Sequence, residues 1–156
     1  MQNGMEIDSI TYTSIQGKPE SRIISKLLEL YVEFFNDADT EFFKQRISEH
    51  SKLYTILAFH DEKLIGFKIG YPYSETTFYS WIGGVHQDYR KQGVASKLAE
   101  LQEIFTKKEG NKKLRTKSMN TYKPMMILNL KNGFDILNIY TNTKGQTKIV
   151  FEKDLD

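Results

Sequence analysis

Apolar positions recur along the chain with two different periods, and the places where the period changes divide it into elements. Residues Glu6–Ser14 alternate, with Ile7, Ser9 and Thr11 against Asp8, Ile10 and Tyr12, and predict a strand. After Gly17-Lys18-Pro19 the spacing lengthens to three and four. Ile24, Leu27, Leu28, Tyr31 and Phe35 then share one face of a helix that Asn36–Asp39 breaks. A second short helix follows with Phe43 and Ile47 inward. Leu53–His60 and Leu64–Tyr71 are β-rich runs separated by Asp61-Glu62-Lys63, a hairpin signal, and Thr76–Val85 extends the meander. Past Gly93 an amphipathic helix carries Val94, Leu98, Leu101 and Phe105 on one stripe. Lys113–Met119 predicts a short strand, and Tyr122–Asn132 a helix stopped at Gly133. Phe134–Tyr140 and Thr147–Lys153 close as a hairpin across Asn142–Gly145.

The order is β-α-α-β-β-β-α-β-α-β-β. It predicts an α/β fold (α+β, mixed sheet) that is mostly antiparallel, with one parallel strand–helix–strand crossover around Gly93. No repeat, low-complexity tract or linker interrupts it, so residues 1–156 are expected to form a single domain.

Composition narrows the chemistry. The chain is 39% hydrophobic, 27% charged and 13% aromatic, which suits a packed globular domain. A net charge of +2 gives no case for nucleic acid, and the Lys107–Lys113 cluster falls where a helix should end and cations suit its dipole. With no cysteine there is no thiol nucleophile, redox pair or thiolate metal site. No apolar run nears the roughly 20 residues that span a bilayer, and no signal-like stretch opens the chain. The expectation is a cytoplasmic protein without a membrane partner.

The stretch that carries chemistry is Trp81-Ile-Gly-Gly-Val-His-Gln-Asp-Tyr-Arg-Lys-Gln-Gly-Val-Ala95. Gly83 and Gly84 weaken a strand end unless something needs access to its backbone. Arg90, Lys91, Gln92, Gly93, Val94 and Ala95 form a polar turn running into a helix. Free amides, the helix dipole and two cations there suit a phosphate or pyrophosphate. The plainer alternative is left-handed turn chemistry at Gly93. The pattern is neither a dinucleotide fingerprint nor a P-loop.

Arg90, Gly93 and Ala95 match Gln/Arg-x-x-Gly-x-Gly/Ala, and with the lead-in Val85–Arg90, Asn120 and the later Gly133-Phe134 the chain resembles the GNAT family of N-acetyltransferases over essentially its whole length. The resemblance implies an acyl-CoA N-acyltransferase fold with a splayed cofactor cleft. It also implies direct transfer of acetyl from acetyl-CoA, as co-substrate, to an amine acceptor, either a small molecule or a protein. It assigns backbone contacts for the acetyl group and pantetheine to Gly83, Gly84 and Val85, with the Val85 amide as oxyanion donor. The pyrophosphate falls to Arg90–Ala95, with a hydroxyl from Ser96, and a pantetheine contact to Asn120. Many members carry a Tyr four residues before Gly-Phe that protonates the leaving thiolate. Here that position is Asn129, which can donate a hydrogen bond but not a proton. Proteins of this kind are often dimers, so a homodimer is one option. A non-catalytic acyl-CoA-binding module is the competing reading.

Other candidates have plainer roles. Glu33, Asp37, Asp39 and Glu41 could rim an acceptor site but also read as helix capping. His50 and His60 read as surface or strand-end residues, and His86 follows the acetyl-binding strand. No pair of histidines has ligand spacing, and no metal is expected. Phe78, Tyr79 and Trp81 read as packing beneath the sheet.

Overall fold

The computed structural model describes residues 9–155. The elements are β1 (Ile10–Gln16), α1 (Ser21–Phe34), α2 (Thr40–Glu49), β2 (Tyr54–His60), β3 (Lys63–Pro72), β4 (Thr77–Val85), α3 (Val94–Lys108), β5 (Lys113–Met119), α4 (Lys123–Lys131), β6 (Asp135–Thr141) and β7 (Thr147–Asp154). The order agrees with the sequence reading. Residues 6–8 of the expected first strand lie outside the described residues. Seven strands, among the described residues, hydrogen bond in the order β1-β2-β3-β4-β5-β7-β6, with β4–β5 parallel and β1–β2, β2–β3, β5–β7 and β6–β7 antiparallel.

Two compact units make up the chain. The first takes the described residues up to Tyr71 together with Ile82–Gln102. Its antiparallel ladders pair Ile10 with His60 and Tyr54 with Gly70 at their ends. α1 buries Ile23, Leu27, Leu30 and Tyr31. The predicted stripe is thus turned by about one residue, with Ile23 and Leu30 buried where Ile24 and Leu28 were expected, and Phe35 lies past the helix end in extended conformation. α2 is capped by Asp39, whose carboxylate accepts from the Phe42 amide at 3.0 Å, and it buries Phe43 and Ile47 as expected. An aromatic cluster joins the two helices: the Tyr31 ring stacks on Phe43 at 4.6 Å, and Phe34 stacks on Phe67 at 5.9 Å.

The two glycines near the end of β4 are each demanded by this packing. A Cβ on Gly84 would lie 2.4 Å from a carbon of the Phe34 ring, so the ring rests directly on the strand backbone. A Cβ on Gly83 would lie 2.8 Å from the Phe67 carbonyl and 3.2 Å from Cγ of Lys68. The space expected for a ligand over these residues is therefore taken by the protein's own side chains and backbone. Lys68 is partly buried on β3, and burial pushes its ammonium down from 10.5 to about 8.

The second unit takes Pro72–Trp81 and the described residues from Glu103 onward. Its strands run from the parallel pairing of Thr77–Ser80 with Lys113–Thr116 to the antiparallel β5–β7 and β7–β6 ladders. Phe78 and Tyr79 are buried and Trp81 is half-buried, in keeping with a packing role. Phe78 meets the edge of Phe105 at 6.2 Å. Lys153 clamps Glu103 at 2.7 Å, and Arg115 clamps Glu152 through two nitrogens. Gly133, at φ 90, stops α4 as predicted.

Two consequences for stability follow from the glycine contacts and Lys68. Gly84→Ala should destabilise the fold by about 1–3 kcal/mol through overpacking against Phe34; urea unfolding measures it, and an unchanged midpoint would contradict the contact. Below pH about 8 the folded chain holds at Lys68 a charge that the unfolded chain keeps in water, so the residue costs stability there. That cost is relieved as pH rises from about 8 towards 10.5. Lys68→Met should therefore be more stable than the parent at pH 7, by about 1–3 kcal/mol. The advantage should shrink in denaturation curves taken at pH 10, and a gap that stays constant with pH would place the Lys68 ammonium in water.

Candidate functional site

In β4 the Cα ladder with β5 covers only Thr77–Ser80, so from Trp81 to Val85 the strand leaves that ladder. The His86 amide donates to the Ile65 carbonyl at 2.7 Å. Amides alternate between strand edges, so the Val85 N–H points to the opposite edge, where the β5 ladder stops at Ser80 among the described residues. The sequence-derived oxyanion donor is thus an amide at an unladdered strand edge. Its Val85 side chain is buried and holds the strand in place.

The turn after β4 is built by side chains that bond back to it. His86 caps a single 3-10 turn (Gln87–Tyr89), its Nδ1 accepting from the Asp88 amide at 3.1 Å. In that bond Nδ1 is the acceptor, and Nε2 lies 3.7 Å from Oε1 of Glu33. The Tyr89 hydroxyl meets Nδ1 of His60 at 2.7 Å. Arg90 donates from Nε to the Val85 carbonyl at 2.9 Å, stitching the turn to the strand. The guanidinium expected beside the phosphate therefore also braces the backbone, with its two terminal nitrogens left to solvent or a ligand.

Two left-handed residues then aim the chain into α3: Lys91 at φ 63 and Gly93 at φ 85. For a lysine this conformation costs of order 1 kcal/mol, which the surrounding bonds must offset. The first backbone bond of the helix runs from the Lys97 amide to the Gly93 carbonyl at 3.0 Å. The amides of Val94, Ala95 and Ser96 therefore have no acceptor within the helix. Val94 is buried, its Cγ1 3.4 Å from where a Gly66 Cβ would be, so it roots the helix start in the sheet. Arg90, Lys91, Gln92, Gly93, Ala95 and Ser96 are exposed, and a Cβ on Gly93 would meet nothing within 4 Å. Open space, convergent N–H groups and two cations fit the phosphate groups of a coenzyme A.

Asn129 and Asn120 lie in the second unit. Asn129 is the buried residue of α4, and its Nδ2 has no hydrogen-bond partner. A buried amide donor left unpaired is costly, so it fits a group awaiting an acceptor from a ligand. Asn120 is exposed and its carbonyl and side-chain oxygens receive the Lys123 ammonium at 2.7 and 3.2 Å. Around it, Met125, Ile127, Leu128 and Leu130 of α4 are exposed.

The remaining candidates resolve as structural in part. Asp39 caps α2, and Glu41 pairs with Lys44. The His50 ring stacks on Tyr71 at 3.6 Å, and burial, then Arg46, pushes it below its usual range. His60 has more to do than the sequence reading gave it, since it anchors Tyr89. Phe34 and Lys68 were not foreseen. The pair Gly83-Gly84 was the available signal, because two small residues in one strand imply two large neighbours. Among the described residues no group of three or more acidic, histidine or cysteine side chains could hold a metal ion. Nor is any helix long and apolar enough to cross a membrane.

Comparison with known proteins bears on the fold. A GNAT family acetyltransferase from Elizabethkingia anophelis, solved with acetyl-CoA bound, superposes with a TM-score of 0.74 at 23% identity, over 95% of this chain and 99% of that one. Ard1 from Thermoplasma volcanium gives 0.79 at 13% identity, over 95% and 99%. The ribosomal-protein-S18-alanine N-acetyltransferase from Escherichia coli gives 0.75 at 17%, over 94% and 95%. At these identities the likeness is one of fold. No curated protein matches the sequence closely enough to count as a relative. The model of the acetyltransferase (GNAT) family matches residues 21–134, well over half the sequence, and the chain accordingly belongs to that family, whose co-substrate is acetyl-CoA.

Proposed function

We propose that this acetyltransferase moves the acetyl group of acetyl-CoA to a primary amine by direct attack, without a covalent enzyme intermediate. The observation that carries the reading is the start of α3: three amides without helical acceptors, beside Arg90 and Lys91, facing open space at Gly93. These groups would hold the pyrophosphate, with the Ser96 hydroxyl adding a donor. The Val85 amide would donate to the carbonyl oxygen as it gains charge, an interaction worth most in the transition state. Gly83 and Gly84 would offer backbone alone, since their faces are covered. Asn120 would contact the pantetheine arm.

Asn129 would donate its unpaired Nδ2 hydrogen to the departing sulfur. A thiol with a pKa near ~8.5 can leave as thiolate at neutral pH, so hydrogen bonding suffices where other members protonate. The acceptor amine must arrive neutral. The Glu33 carboxylate, beside the His86 ring after β4, is a group that could draw a cationic amine in and accept its proton. A cytoplasmic setting suits this chemistry. The second reading, an acyl-CoA-binding module without turnover, draws on the proton that Asn129 cannot supply.

Calorimetry with acetyl-CoA tests the cofactor site. The parent should bind in the micromolar range, and Gly93→Glu, which brings bulk and negative charge to the turn, should abolish binding. A parent that binds nothing would remove the basis of the reading. Asn129→Ala should lower kcat by roughly 10-fold, one hydrogen bond's worth, with little change in KM for acetyl-CoA. Steady-state assay against a panel of amines measures both effects. Tight binding with no product from any amine would favour the module over the enzyme.

A further inference from the structure

Lys68 is a partly buried cation to which the fold gives no partner among the described residues. It has no hydrogen bond, ion pair or ring contact among the described residues. A partly buried ammonium without a counter-charge costs free energy, and such groups persist where they meet a ligand or take part in chemistry.

Its position is specific. Facing Cβ atoms on neighbouring strands sit roughly 4.5–5.5 Å apart. Cγ of Lys68 comes within 3.2 Å of where a Gly83 Cβ would be. The lysine stem has therefore leaned from β3 onto β4, over the residue two places before Val85. Any side chain at position 83 would occupy that space. The missing Cβ at Gly83 thus lets the Lys68 stem lie against the strand that, in the proposed function, holds the thioester.

We propose that Lys68 is a site of self-acetylation: when acetyl-CoA is bound and no acceptor amine is present, its Nζ takes the acetyl group. The inference rests on the proposed cofactor site. The neutral amine attacks the thioester carbonyl carbon, so that a C–N bond forms and the C–S bond breaks. Coenzyme A leaves as its thiolate, and the surplus proton on nitrogen passes to that thiolate or to water. The products are an Nε-acetyl-lysine and free coenzyme A, and no other reactant is consumed. Burial, which holds the ammonium near 8, supplies the neutral amine at mildly alkaline pH. Surface lysines near 10.4 supply far less of it.

The test is incubation of the full chain with acetyl-CoA at pH 8, without amine, followed by intact-mass measurement and peptide mapping over time. One acetyl group should accumulate at Lys68, at least ~10-fold faster than at the average surface lysine, as expected for a held rather than a colliding donor. Lys68→Arg, whose guanidinium stays protonated, should lose that adduct. So should Gly93→Glu, while its slow surface acetylation continues. Equal rates at Lys68 and surface lysines would overturn the proposal. So would an unmodified Lys68 in a protein that calorimetry shows to bind acetyl-CoA, and in that case the cofactor site would stand. Failure of the parent to bind acetyl-CoA would overturn both.

Discussion

The pressure of Phe34 and β3 on the backbone of Gly83 and Gly84 is the contact on which the rest of the site depends. A strand whose residues carry no Cβ can be approached from both faces at once. Here the aromatic ring lies on one glycine, and a carbonyl and a lysine stem crowd the other. That grip adds to the backbone bond from the His86 amide to Ile65 in fixing the end of β4. The edge of the strand stays available while its faces are full. A ligand pairing with the strand edge would then meet a rail that has already lost its freedom to move, so little further ordering is needed on binding.

The turn that follows is held with equal economy. His86, Tyr89 and Arg90 each spend a polar atom on the protein itself, through Asp88, His60 and Val85. The strain at Lys91 is tolerated because those bonds leave the chain no easier path into α3. The donors left unused are the first amides of the helix, which no side chain could replace. An anion held there, as the proposed function has it, would rely on groups that every sequence possesses, with specificity entering through the shape that presents them.

Much of this was legible beforehand. The element order, the parallel crossover and the helix stop at Gly133 follow from period changes and glycine placement, which are local signals. The exposed turn into α3 was legible because its glycine and cations lie within one short segment. The inward face of α1 was displaced, and Phe35 fits the helical spacing although the helix ends before it. In α3, Gln102 and Thr106 are fully buried where Leu101 and Phe105 were expected to lead, a choice made by packing that no periodicity of hydrophobic residues reveals. The glycines mark a close approach to the strand, and only tertiary structure says that Phe34, Phe67 and Lys68 make it. Lys68 shows the same limit, since nothing about a lone lysine in a strand indicates whether it faces water.

The bond between Tyr89 and His60 ties the turn to the end of β2, 29 positions earlier in the chain. Between β2 and β3 the reversal passes through Asp61, a left-handed residue at φ 56, and the β2–β3 register slips at Ala58/Phe59. The end of the hairpin therefore rests against the turn that leads into α3. Insertions or charge changes at this distant reversal, where sequence drift is ordinarily cheap, would tune how the turn is presented. Under the proposed function, the grip on a cofactor would then vary without a change in the residues that would do the gripping.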